Sequence, residues 1–135
     1  MLNDELLEQF IQSGDTLWVY KEMAPIFQSR KERLASLLDY IDTFVPRIKG
    51  ATMFDRIVGN AAALLLKKAL CHQVYSPVAS EMAVRSLEKF DINYHFSEVV
   101  PFILEENGIC PLEKLSVGKT PDEFYRAVKD LTPGV

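Results

Sequence analysis

The chain has 135 residues, 48% hydrophobic and 25% charged, which fits one ordinary globular domain over residues 1–135. A net charge of −4 with scattered basic residues argues against a nucleic-acid footprint and against an anionic-membrane binder. Two cysteines are too few for a disulfide framework, the acidic start MLNDELLEQF is no signal peptide, and no apolar run approaches the roughly 20 residues of a membrane span, so the expectation is a cytoplasmic protein with free thiols.

Residues 2–11 repeat Leu2, Leu6, Leu7, Phe10 and Ile11 at helical spacing, and Ser13 and Gly14 stop that helix. Residues 16–20, TLWVY, read as a strand, 22–25 as a turn and 26–28 as a second strand, which makes an antiparallel hairpin. Pro25 is tolerable at the start of the second strand. Arg30, Lys31 and Arg33 form the one basic cluster and read as a solvated face near a helix start. Residues 31–43 carry Leu34, Leu37, Leu38 and Ile41 on one helical stripe. Pro46 and Gly50 mark residues 46–53 as a loop.

Residues 54–69, FDRIVGNAAALLLKKA, are the most apolar and most helix-like run, and the chain is read as organised around them. Asp55 is the expected N-cap, the small residues Gly59, Ala61, Ala62 and Ala63 allow close approach to a sheet, and Lys67 and Lys68 suit the C-terminal end. Residues 73–75 read as a short strand ended by Pro77, and Ser80 as the N-cap of a helix with Glu81 in its first turn. Ile92, Tyr94 and Phe96 alternate as in a strand; residues 97–104 read either as a short helix or as an edge strand around Pro101. Asn107 and Gly108 mark a turn. Pro111 suits the first position of a helix after Cys110, with Glu113 placed as half of a capping box, and Thr120 caps a last helix over 121–131. The alternating helices and strands in the middle predict parallel strands in a mixed α/β sheet with helices on both faces. Ligands of such sheets sit at strand carboxyl ends, facing helix N-termini.

Three segments carry a resemblance: DRIVGNAAALLL, VYSPVASEMAVRSLEKFDINY and VPFILEENGICPLEKL. Together they resemble an uncharacterised bacterial family, domain of unknown function 1893, over roughly residues 17–115. That resemblance implies a cytidine-deaminase-like, three-layer α/β/α fold with an N-terminal hairpin, and a homodimer or larger homo-oligomer. Zinc deaminases of this fold place His-x-Glu at one helix start and Pro-Cys-x-x-Cys at the next, giving three ligands and a proton-shuttling Glu. Here Gly59, Asn60 and Ala61 stand where His-x-Glu belongs. Pro77 keeps the proline of the second motif, but Val78 and Glu81 replace its cysteines. The resemblance therefore implies the fold without the metal, and no cofactor is expected.

Asp55, Arg56, Gly59 and Asn60 at one helix start, and Pro77, Ser80 and Glu81 at the next, are the candidate ligand-binding residues, with Glu113 beside them. Two helix starts meeting over a sheet offer free amides to a small polar or nucleotide-like ligand. The plainer alternative is that Asp55 and Ser80 only cap helices and that Gly59 only permits packing. Cys110 reads either as a reactive thiol at a helix start, with Lys114 one turn away, or as a small buried residue before Pro111. His72 and His95 lack a recognisable ligand set. Trp18, Tyr20, Phe27, Tyr94 and Phe96 read as core or dimer contacts rather than as a stacking platform. Three functions stay open: a metal-free binding module, a non-zinc enzyme or redox protein using Cys110, and a structural or oligomeric interaction protein.

Overall fold

The computed structural model describes residues 2–32, 34–105 and 108–131. Arg33 of the basic cluster and Asn107 of the expected turn lie outside them.

The first helix, α1 (Leu2–Ser13), ends where the Ser13 hydroxyl donates to the Phe10 carbonyl at 2.7 Å and Gly14 takes φ +82°. Strands β1 (Leu17–Lys21) and β2 (Ala24–Ser29) form the expected antiparallel hairpin. Its turn residues Glu22 and Met23 both have positive φ, the twist that suits a two-residue hairpin. Helix α2 (Ala35–Phe44) buries Leu37, Leu38 and Ile41 as the stripe predicts. Then come β3 (Ala51–Asp55), β4 (Ile57–Val58), α3 (Asn60–Lys68), β5 (Cys71–Ser80), α4 (Glu81–Lys89) and β6 (Asn93–Val100). A small hairpin of β7 (Leu104–Glu105) and β8 (Gly108–Ile109) precedes α5 (Pro111–Ser116) and α6 (Pro121–Leu131).

The protein is a mixed α/β structure with a six-stranded mixed sheet. Strand β1 lies between β2 and β3, antiparallel to both. Strand β5 runs parallel to β3 and β4 on one side and to β6 on the other. Successive residues go to two separate apolar clusters. Leu17, Val19, Met53 and Val74 join the main core with α2, α3, α4 and α6. Trp18, Phe54 and Tyr75 instead meet Phe10, Leu6 and Leu7 of α1.

The chief correction concerns the stretch expected to organise the chain. Residues 54–55 end β3 and 57–58 form β4, with a bend at Arg56 between them, and the helix starts only at Asn60, with Gly59 at its N-cap position. The supposed loop 46–53 contains most of β3. A helix from Phe54 would leave β1 and β5 without their shared neighbour, since Trp18 pairs with Phe54 and Phe54 with Tyr75. Thr52, Phe54, Ile57 and Val58 are β-branched or aromatic and suit that extended slot. Asp55 therefore caps no helix. The apolar half of the reading holds: Ala61, Ala62, Ala63, Leu64, Leu65 and Leu66 are all buried.

Strand β5 is also longer than expected. Pro77 lies inside it, at the gap where β3 pairing ends at Tyr75 and β4 pairing resumes at Val78, so its missing N–H costs the ladder little. Strand β6 runs to Val100, which settles much of 97–104 as strand.

Candidate functional site

The strands β4 and β5 end beside the starts of α3 and α4. Gly59 is extended and buried, and it delivers the chain into α3 with no side chain at the turn. The space above it is taken by Glu113 of α5. One carboxylate oxygen of Glu113 accepts from the Asn60 amide at 2.9 Å and the other from the Ala61 amide at 2.9 Å. A carboxylate on free helix amides is favoured by hydrogen bonding and by the helix dipole. A Cβ on Gly59 would lie within 2.4–2.5 Å of that carboxylate. Glu113 thus caps a helix 53 residues away in sequence rather than its own, contrary to the half capping box.

Asn60 is buried and completes the junction. Its amide nitrogen donates to the Ser116 hydroxyl at 2.9 Å, and its amide oxygen accepts from the Ser86 hydroxyl at 2.5 Å. So α3, α4 and α5 are tied together at one side chain. Ser80 caps α4 as expected, its hydroxyl accepting from the Ala83 amide at 3.1 Å.

A cavity of about 290 Å³ opens beside this junction. Asp55, Arg56, Gly59, Cys110 and Glu113 line it, with Leu34, Ile57, Ala61, Ala62, Ile103 and Leu112 giving it largely apolar walls. Asp55 is its distinctive polar group. Desolvation pushes this carboxyl up to about 7, while hydrogen bonds from the Arg56 and Ile57 amides pull it partly back. It is therefore poised between a donor and an acceptor near neutral pH. Arg56 is otherwise engaged: its guanidinium donates to the carbonyls of Asp15, Phe10 and Ile11 at 2.6, 3.1 and 2.9 Å. It fastens the end of α1.

Ser80 and Glu81 line a second cavity of about 220 Å³, with Arg85, Phe102, Ile109, Lys114 and Val117 among its walls. Ile103 and Glu113 border both cavities. Pro77 borders neither. Thr16, Glu32 and Leu34 were not among the sequence candidates; they reach the first cavity from the residue before β1 and from the approach to α2, and no local pattern marks them.

Cys110, half-exposed, sits at the N-cap of α5 without a side-chain capping bond, and Pro111 takes the first helical position as expected. Cys71 is buried, its thiol pushed up by desolvation, and its Sγ donates to the Gln73 carbonyl. His95 is exposed and stacks on Tyr75 at 4.4 Å. Among the described residues no group of three or more His, Cys, Asp or Glu is placed to hold a metal ion. No described helix is long and apolar enough to cross a membrane.

With this geometry in hand, comparison with known proteins gives a family but no activity. Residues 6–132 match the family described as domain of unknown function (DUF1893). A solved crystal structure of a DUF1893 family protein from Thermotoga maritima is similar, with a TM-score of 0.85 and 26% identity over 97% of this chain and 90% of that one. No curated protein matches the chain.

Proposed function

The chain belongs to the DUF1893 family, and on that premise we propose that it is a small-molecule-binding domain of cytidine-deaminase-like, three-layer α/β/α fold. The domain takes in residues 1–135 and binds without zinc. The observation that carries the reading is the carboxyl of Asp55 set among the largely apolar walls of a cavity of about 290 Å³, with its own cation, Arg56, committed to backbone carbonyls. Burying a carboxyl is costly unless something compensates it, and ligand pockets characteristically combine apolar walls with a few placed polar groups. The residues at the deaminase metal positions do not fit zinc. Gly59, Asn60 and Ala61 offer no carboxylate or imidazole there, and Glu113 spends its oxygens on α3 amides.

The charge pattern narrows the ligand. The α3 amides are occupied by Glu113, so an anion gains nothing there. Asp55 and Glu32 favour a neutral or cationic head with nitrogen donors, such as a nucleobase. Adenosine is a suitable probe: isothermal titration should show saturable binding, weakened at least tenfold by Asp55→Asn. Native mass spectrometry of the purified protein would also reveal a retained ligand and the subunit count, where a homodimer or larger assembly is expected. Absence of both a retained molecule and saturable binding would remove the proposal.

A second reading rests on Cys110, which shares the wall of the same cavity. As a reactive thiol it should be alkylated by iodoacetamide much faster than Cys71 at neutral pH; equal sluggishness would leave it a packing residue.

A further inference from the structure

The two cavities share Glu113 and Ile103, yet the charged side chains that each has to itself balance to opposite signs. The first holds the carboxyls of Asp55 and Glu32, and its cation, Arg56, is bound to three backbone carbonyls. The second holds two cations, Arg85 and Lys114, against the carboxylate of Glu81. Neither Arg85 nor Lys114 makes an ion pair or side-chain hydrogen bond with another described residue, whereas Arg30, Lys31, Lys68 and Lys129 each hold an aspartate. Glu113 stands between, and both its carboxylate oxygens are held by the Asn60 and Ala61 amides, so it forms no ion pair with either cation. At about 290 and 220 Å³ the cavities side by side reach the size of small-molecule sites, roughly 300–1,000 Å³.

We infer that the second cavity is an anion subsite of the same ligand. The ligand then carries a nitrogen-donor head in the Asp55 cavity and a phosphate or carboxylate tail at Arg85 and Lys114, at the size of a nucleoside monophosphate. Arg85 supplies a planar fork and Lys114 a mobile point charge, a pair suited to an anion with several oxygens. The inference rests on the Asp55 reading for the head and adds the tail independently of it.

The test compares adenosine, adenosine monophosphate and ribose 5-phosphate by isothermal titration at low salt. The wild-type protein should bind the monophosphate at least tenfold more tightly than adenosine. In the double variant Arg85→Ala, Lys114→Ala that ratio should fall to about one, with adenosine binding and the unfolding midpoint unchanged. A ratio near one in the wild type overturns the subsite, as does a ratio that survives the double variant. Adenosine binding that depends on Asp55 without any gain from phosphate removes the tail and leaves the head. Phosphate-dependent binding that ignores Asp55→Asn removes the head and with it the two-part ligand. Binding of none of the three removes both.

Discussion

Asp55 and Gly59 show how a single residue's role depends on what faces it. Asp55 has an ordinary value near 3.8 when unfolded and is held up to about 7 in the folded chain by desolvation. The native state then keeps a proton that the unfolded state releases between about pH 4 and 7, so the contribution of Asp55 to stability falls as pH rises through that window and levels off above it. Asp55→Asn should remove this slope. Urea midpoints should rise for the variant relative to wild type on going from pH 5 to pH 8; a constant difference would show that the carboxyl is not desolvated. Gly59 has φ −95°, so its backbone accepts any residue, and the obstacle to a side chain is the Glu113 carboxylate. Gly59→Ala should cost about 1–3 kcal/mol by driving Glu113 off the α3 amides. In a Glu113→Ala background the same change should cost less than about 0.5 kcal/mol. Denaturant curves of the four proteins measure that coupling.

At the scale of elements, caps and buried stripes decide which helices hold. Ser80 satisfies one free amide of α4, so Ser80→Ala should lower stability by about 1 kcal/mol in urea unfolding. Thr120 and Glu123 exchange hydrogen bonds at the start of α6, a complete capping box, where Thr120 was expected as the cap. Helix α3 is held from outside instead. Its side chains through Leu66 are buried from the start, its amides are capped by α5, and Lys68 reaches Asp122 of α6 at 2.8 Å. Leu65, fully buried, makes the contrast measurable: Leu65→Ala should cost about 2–5 kcal/mol in the same experiment.

For the whole molecule, the sheet serves two clusters of different character. The main core is aliphatic and belongs to α2, α3, α4 and α6. The second is aromatic: Phe10 lies 5.4 Å from Trp18, and Phe54 stacks on Tyr75 at 5.1 Å. Helix α1 closes that cluster, and Arg56 holds its end by three carbonyls while its guanidinium lies 5.3 Å from the Phe10 ring centre. Arg56→Ala should therefore raise amide hydrogen exchange across residues 2–13 and leave β3 and β5 protected. Loss of protection throughout the sheet would mean that α1 is part of the global folding unit.

The sequence by itself determined the elements whose signals are local. Aromatic and β-branched content with a tight turn marked the β1–β2 hairpin, the leucine stripe marked α2, and Ser80, Pro111 and Thr120 marked three helix starts, because composition, capping and periodicity are properties of a few neighbouring residues. The family too was legible, in segments quoted from its middle and end. Tertiary structure alone decided that residues 54–55 and 57–58 are strand. Their composition suits a buried helix or a buried strand, and only the slot between β1 and β5 distinguishes the two. It alone placed Glu113 on α3 and desolvated Asp55, since both facts depend on residues more than 50 positions apart being brought to one cavity wall, and no window of sequence contains that meeting.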